Sequence, residues 1–469
     1  MTAPTTPARQ ATLPAMMSAE LTRRLGPYTG RLGWDASQLA HHQRERLRLL
    51  LTHAAGHSPF HARRLRGLDP SRFELADLPR LPVMTKAEMM AQFDAVVTDR
   101  RLSKHQVEQH LAASAREPSL LLDEYVCLAS GGSSGLRGVF VQTLGEYADF
   151  VASLIRPGYA RALAAGGPPP EGLVLGQVAA ASPVHSSGFG AAVAIGPPVR
   201  LIPAPATLPL TEIVARLNAA QPPALLGYAS KLAELAREQL AGRLSITPRS
   251  VVSISEVLTP ADRAVIERAF SVPVIDSFVS TEGLVGHSEP GRSVLRFAAD
   301  MCLAELVDDD NNPVPAGAPS AKVLVTNLHN LTQPLMRYEL TDRFTTPEGT
   351  TGTGWLRASI GGRADEVFRY GGVAVRPHVI RSTLASQDAV REHQVRQTER
   401  GIDVACVTGS HLASGTGRSA RACPAPGRAH RPARQHHAGP DNHPRPKTGK
   451  VSRFIPTRGR LAQPRQAAR

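Results

Sequence analysis

Between Gly172 and Phe278 the chain alternates short apolar runs with helical patterns, and this alternation constrains the fold more than any other feature. GLVLGQV, VRLIPA, ALLGY, VVSI and PVIDSF have the length and composition of buried strands. Between them, TEIVARLNAA, SKLAELAREQLAG and PADRAVIERAF repeat apolar residues at helical spacing. Strand–helix alternation of this kind predicts an α/β domain with a parallel-rich sheet and flanking helices. The last of these helices has a defined start, with Thr259 as cap, Pro260 in the first turn and Asp262 near the positive end of the dipole. Upstream, residues 39–56 read as an amphipathic helix carrying Leu39, Leu47, Leu50, Leu51 and Ala54, and Thr85 is placed to cap a helix starting at Lys86.

A chain of 469 residues has room for one large domain and a smaller one. Hydrophobic residues at 42% and charged residues at 20% match a soluble globular protein. No run approaches the roughly 18 apolar residues of a membrane span, so no membrane role is expected. MTAPTTPARQATLPAMM has no apolar core of signal-peptide length; residues 1–30 read as a flexible leader and the expected location is cytoplasmic. Cys127, Cys302, Cys406 and Cys423 form no CxxC pair, which argues against structural zinc and a disulfide framework. The net charge of +14 is localised: thirteen Lys and Arg against one Asp after Ser410 account for +12, leaving +2 for the first 410 residues. A basic tail without aromatic interleaving is a poor nucleic-acid module, so no specific nucleic acid is expected. Between His411 and Pro446, Leu412 is the only large aliphatic residue, a composition that predicts disorder and that a reading-frame slip in a GC-rich gene would yield.

Five segments carry candidate chemistry. Leu128–Gly138 (LASGGSSGLRG) is a Gly/Ser loop whose N–H groups and Ser133 and Ser134 hydroxyls suit a closely approached anion, although an ordinary flexible loop has the same composition. Asp276–Gly283 (DSFVSTEG) follows a strand and sets a carboxylate beside hydroxyls, as hydrated Mg²⁺ prefers; its plainer reading is a capping box opening a helix. Gln333–Asp342 (QPLMRYELTD) ends in a carboxylate able to accept from a ribose diol, while Arg337 can face phosphate or form an ordinary ion pair. GGRADE at 361–366 and PKTGKVSR at 446–453 read by themselves as a loop and a basic tail.

In their order these five segments resemble the adenylate-forming (AMP-binding) superfamily, and HSPFHARRL, LPRLPVMTKAEM and QPLMRYELTD resemble its phenylacetate–CoA ligase branch. The resemblance runs from about residue 45 to 408 and resumes at 446–456. It implies a large ATP- and acyl-binding domain over 31–362, a hinge at 363–366 and the start of a small C-terminal α+β domain over 367–410. That small domain looks truncated or corrupted at 411–446, and 447–469 form the terminal Lys motif and tail. The activity implied is AMP-forming: a carboxylic acid, aromatic or other, reacts with MgATP to give an acyl adenylate, and coenzyme A then takes the acyl group.

An acyl carrier protein or an amine is the alternative acceptor, an inactive nucleotide-binding homologue is the alternative of another class, and a homodimer is compatible with either. Carried over residue by residue, the resemblance gives Ser130, Gly131, Gly132, Ser133, Ser134 and Gly135 to the ATP phosphates and Phe278 to the adenine. Ser280, Thr281 and Glu282 go to the α-phosphate and Mg²⁺, with Glu282 as the metal ligand. Asp342 goes to the ribose, with Arg337 and Arg363 supporting the nucleotide. His185 lies beside the acyl pocket, Asp365 is the hinge, and Lys450 reaches the carboxylate and α-phosphate. Val279 stands where the family usually has Gly, and Arg137 where Lys-Pro is common.

Overall fold

The computed structural model describes residues 12–130, 138–349, 354–363, 368–370, 373–375, 390–399, 401–408 and 454–455. The chain divides into a large unit ending at Gly362 and a second beginning at Arg363.

The large unit opens with helices α1 (Leu13–Gly30), α2 (Ala36–His57), α3 (Pro59–Arg64), α4 (Lys86–Ala91), α5 (Phe93–Val96) and α6 (Lys104–Ala113). Asp35 starts α2 through a reciprocal pair with Gln38, and Thr85 starts α4 by accepting the Glu88 N–H. Each cap satisfies a donor that has no intrahelical partner. All five apolar positions expected on α2 are buried. The reading of residues 1–30 as a flexible leader is corrected over 13–30. These residues form α1, whose Met17, Leu21 and Tyr28 join Leu144, Tyr147 and Phe150 in one apolar cluster. Pro14 falls in the first turn, where a missing N–H costs nothing.

An antiparallel ribbon of β1 (Tyr125–Ala129) and β2 (Val139–Thr143) leads directly into α7 (Leu144–Ala164). The alternating region then runs β3 (Leu173–Val178), α8 (Ser186–Val193), β4 (Ile195–Gly196), β5 (Val199–Pro203), α9 (Leu210–Ala220) and β6 (Ala224–Tyr228). It continues through α10 (Ala229–Leu240), β7 (Ser250–Ile254), α11 (Pro260–Phe270) and β8 (Val274–Val279). Every strand and helix expected between Gly172 and Phe278 is present, and Thr259 caps α11 as its position implied. Seven further strands complete the unit: β9 (Val285–Ser288), β10 (Leu295–Phe297), β11 (Cys302–Val307), β12 (Lys322–Asn327), β13 (Tyr338–Leu340), β14 (Asp342–Thr345) and β15 (Arg357–Arg363).

The main sheet has the order β14-β15-β10-β9-β8-β7-β6-β3-β5-β4. Its strands β5, β3, β6, β7 and β8 are mutually parallel, with antiparallel strands added beyond β8 and β5. From β3 the chain moves outward to β5, then returns to place β6 on the other side of β3. Between β3 and β6 the winding therefore reverses, and in such sheets the crevice at the C-terminal ends of the strands is where ligands bind. Leu232, Leu235 and Ile266 from α10 and α11 pack with Leu225, Val251 and Val274 from the strands beneath them. A second, antiparallel sheet has the order β11-β12-β13.

In the second unit β16 (Phe368–Tyr370) pairs with β17 (Val373–Val375), and β18 (Val390–Gln397) lies between antiparallel β19 (Ile402–Thr408) and parallel β20 (Phe454–Ile455). Phe368 and Val395 are its buried centre. Asp365, Lys450 and the segment 411–446 lie outside the described residues.

Candidate functional site

Three loops at the C-terminal ends of the parallel strands are tied together by side chains. After β6, the Tyr228 hydroxyl accepts the N–H of Ala180 in the loop after β3, at 3.0 Å. Burial pushes that phenol up to about 12. After β7, Ser255 takes φ +63, a conformation uncommon for a residue with a side chain, and the next residue, Glu256, accepts the Ser230 N–H at 2.9 Å. That N–H belongs to the first turn of α10, whose own cap residue, Tyr228, supplies no side-chain acceptor.

The loop after β3 also reaches the β1–β2 ribbon. Ala129 donates its N–H to Val184 O at 2.7 Å, and His185 Nδ1–H donates to Ala129 O at 3.0 Å. The ribbon end is closed by Ser130, which donates its N–H to Gly138 O at 2.9 Å and accepts the Gly138 N–H on Oγ at 2.8 Å. Ser130 and His185 are thereby brought to the same place. Gly131, Gly132, Ser133, Ser134 and Gly135 lie outside the described residues.

After β8 the chain makes a tight turn back into β9, so the capping-box reading of Asp276–Gly283 is replaced by a strand-to-strand turn. Ser280 N–H donates to Leu284 O, and the Leu284 N–H donates to Ser280 Oγ. Gly283 has φ +103, and a Cβ there would stand 2.3 Å from the Asn327 side-chain nitrogen, so only glycine fits. Glu282 is buried, Thr281 and Ser280 are half-buried, and the Glu282 carbonyl accepts from Asn327 Nδ2 at 2.8 Å. Among the described residues no group of three or more His, Cys, Asp or Glu could hold a metal ion. The turn nonetheless offers one carboxylate beside two hydroxyls, all hard oxygen donors, which fits Mg²⁺ completing its shell with water and phosphate oxygens.

Phe278 is half-buried with its ring edge-on to Phe344 of β14, centroids 5.2 Å apart. Half-buried Asp342 stands two residues before Phe344 on the same strand. Arg337 is a correction. Its guanidinium donates to Glu305 at 3.0 Å and to the carbonyls of Pro79 and Leu81 at 3.2 and 2.9 Å, and it is buried. A guanidinium so engaged fastens β13 to the segment before α4 and is not placed to face phosphate. Arg363 ends β15, and its side chain is outside the described residues.

A cleft of about 460 Å³, lined by His53, His57, Arg100, Tyr125, Thr143 and Glu146 among others, opens at the opposite end of the β1–β2 ribbon. Five residue steps of strand, on the order of 17 Å, separate Tyr125 at that end from Ser130.

Solved structures share this fold. 2-Hydroxyisobutyryl-CoA ligase in the postadenylation state, in complex with R3-HIB-AMP, superposes with a TM-score of 0.58 over 78% of this chain and 77% of its own, at 19% identity. The chain has the fold of an adenylate-forming CoA ligase. An open conformation of the same ligase, in complex with 2-HIB-AMP and CoA, matches at a TM-score of 0.55 and 20% identity, covering 77% of this chain and 83% of the other. In sequence, Protein CapK of Staphylococcus aureus is 30% identical over 135 residues, a span of 28% of either chain. No family model matches. Sequence reasoning missed Glu256, Tyr228 as a tie and Asn327. The strained Ser255 and the long-range bonds that reveal them leave no local pattern.

Proposed function

We propose that this chain is an AMP-forming carboxylate ligase of the phenylacetate–CoA ligase kind. The observation that supports this most is that His185, joined to Ser130 through Ala129, and the Ser280–Glu282 turn both lie in connections that leave the C-terminal ends of the parallel strands, in a chain with a CoA-ligase fold. A carboxylate oxygen attacks the α-phosphorus of ATP, the bond to the bridging oxygen breaks, and pyrophosphate leaves. A thiol of coenzyme A then attacks the acyl carbon and AMP departs. No side chain forms a covalent bond, so catalysis rests on positioning and charge.

Within this reading Ser130 shapes the phosphate loop and Phe278 flanks the adenine. Asp342 accepts from the ribose, and Thr281 with Glu282 faces the α-phosphate. Glu282 would hold Mg²⁺, which when bound would neutralise phosphate charge. His185 borders the acyl group, Arg363 supports the nucleotide, Asp365 is the hinge, and Lys450 brings an ammonium to the reacting carboxylate and phosphate.

The test is pyrophosphate release over a panel of carboxylic acids, with and without coenzyme A. Acid-dependent release, together with acyl-CoA formation, supports the reading. ATP binding without release for any acid refutes it.

A further inference from the structure

The last residue of β12 and the segment that follows it to β13 carry three buried side-chain amides, Asn327, Asn330 and Gln333, exposed by 2, 6 and 0%. Asn327 Nδ2 donates to Glu282 O, while its Oδ1 accepts the N–H groups of His329 and Asn330, both at 2.9 Å. Asn330 Oδ1 accepts the Gln333 N–H at 2.9 Å, and Asn330 Nδ2 donates to Val141 O at 3.1 Å. Gln333 Oε1 accepts the Val141 N–H at 2.9 Å, and Nε2 donates to Val139 O at 3.2 Å. Among the described residues the ribbon has two strands and the outer edge of β2 has no strand partner; there the Gln333 carboxamide bonds as a peptide group of a third strand would. The segment is fixed from a further side by Glu146, which accepts the N–H groups of Leu331 and Thr332 at 2.7 and 3.2 Å.

We infer that Asn327, Asn330 and Gln333 are positioning residues. They hold the Glu282 turn and the base of the Ser130–Gly138 loop in one rigid frame, so that the two cannot shift independently. The inference rests on the proposed reading for its consequence, the alignment of an α-phosphate contact with a loop around the outer phosphates. The coupling itself does not depend on a ligand. Gln333 bonds to β2 and makes no hydrogen bond to residues 280–284, so the hydrogen-bonded route from Gln333 to that turn runs through Asn327, reached by way of Asn330 and of the Asn327 N–H to Leu335 O bond.

Backbone amide exchange on the full chain tests this. In Gln333→Met, which keeps the side-chain length, the amides of Ser280, Gly283 and Leu284 should exchange about tenfold faster, together with those of Val139 and Val141. Asn330→Ala should give the same joint pattern should Gln333→Met fold poorly. Thr259→Ala, which removes the α11 cap and touches neither segment, serves as the control for general loosening. Acceleration confined to 139–141, or a pattern equal to that of Thr259→Ala, would overturn the inference. Calorimetric titration with MgATP separates this outcome from the proposed function. Gln333→Met should weaken MgATP binding about tenfold, and unchanged affinity beside accelerated exchange would refute the positioning role. If the unaltered chain binds no MgATP, the ligase reading falls and the exchange pattern alone decides the coupling.

Discussion

Replacing Asp300 by Asn should destabilise the large unit by about 4 kcal/mol. Arg156 is 1% exposed and donates to both Asp300 oxygens, Nη1 at 2.7 Å and Nη2 at 2.6 Å, with a further bond to Tyr28 O. Arg31 approaches the same carboxylate at 3.4 Å. Burial alone would raise the Asp300 carboxyl, but the bonds and charge of Arg156, with Arg31 behind them, hold it below the usual carboxylate range. Two unit charges about 4 Å apart interact by roughly 4 kcal/mol at an effective dielectric of about 20. Removing one partner of such a pair typically costs about 3–5 kcal/mol, because the other charge stays buried and unpaired. Asn keeps the shape and one acceptor, but its NH2 group faces a guanidinium N–H, so the loss combines the missing charge with one unmatched donor.

Urea unfolding followed by circular dichroism measures it. With a slope of about 3 kcal/mol per molar, the midpoint should fall by more than about 1 M. Tryptophan emission gives a local reading: Trp355 carries Arg296 over its ring at 4.1 Å and donates to Trp34 O, and these are the chain's two tryptophans. The double variant Arg156→Met/Asp300→Leu should recover most of the loss, since an apolar pair of similar volume replaces a buried ion pair at little cost. A loss below about 1 kcal/mol in Asp300→Asn, or a double variant as unstable as the single, would refute the argument.

Three other outcomes are expected. Glu282→Ala and Asp342→Ala should each weaken MgATP binding, the second by about 1.5–3 kcal/mol for its charge-assisted bonds, and calorimetry showing unchanged affinity in both would remove the nucleotide assignment. Burial raises the Asp276 carboxyl to about 6, against the opposing pull of Arg263. Its folded value exceeds the unfolded one, so its contribution is fully present below about pH 4 and lost as pH rises through about 6. Asp276→Asn should accordingly gain up to about 3 kcal/mol over the unaltered chain at pH 7.5 and little at pH 4, read from urea midpoints at the two pH values. Gly283→Ala should lower the melting temperature and loosen MgATP, because the added carbon meets Asn327 and the backbone is held at φ +103; an unchanged melt and affinity would contradict this.

The elements legible in the sequence were those whose signal is local. The stripe on α2, the cap at Thr259 and the five parallel strands each depend on residues within one element. Helix α1 was obscured by Pro14 and Pro27, although Met17, Leu21, Leu25 and Tyr28 fall at spacings of four, four and three, a stripe that could have exposed it. Arg337 could not be read, because its partner Glu305 is thirty-two positions away and the carbonyls it binds lie more than 250 positions away. The same holds for the amides of Asn327, Asn330 and Gln333, which look in sequence like an ordinary polar connection. The order of the sheet, with antiparallel strands added outside the parallel five, is likewise a property of contacts made far along the chain.

A sheet of ten strands has two edges, and a long bare edge is a template on which further copies can pair. Here one edge is β4, two residues long and followed by Pro197 and Pro198, neither of which has an N–H to offer. Ser18 of α1 donates to the carbonyl of Pro197, so the helix taken from the sequence to be a loose leader lies against that edge. Loss of α1 would therefore strip a guard from this edge as well as an apolar contact, next to the already exposed Ile195. The first helix described in this chain thus stands at a sheet edge that another strand could otherwise approach.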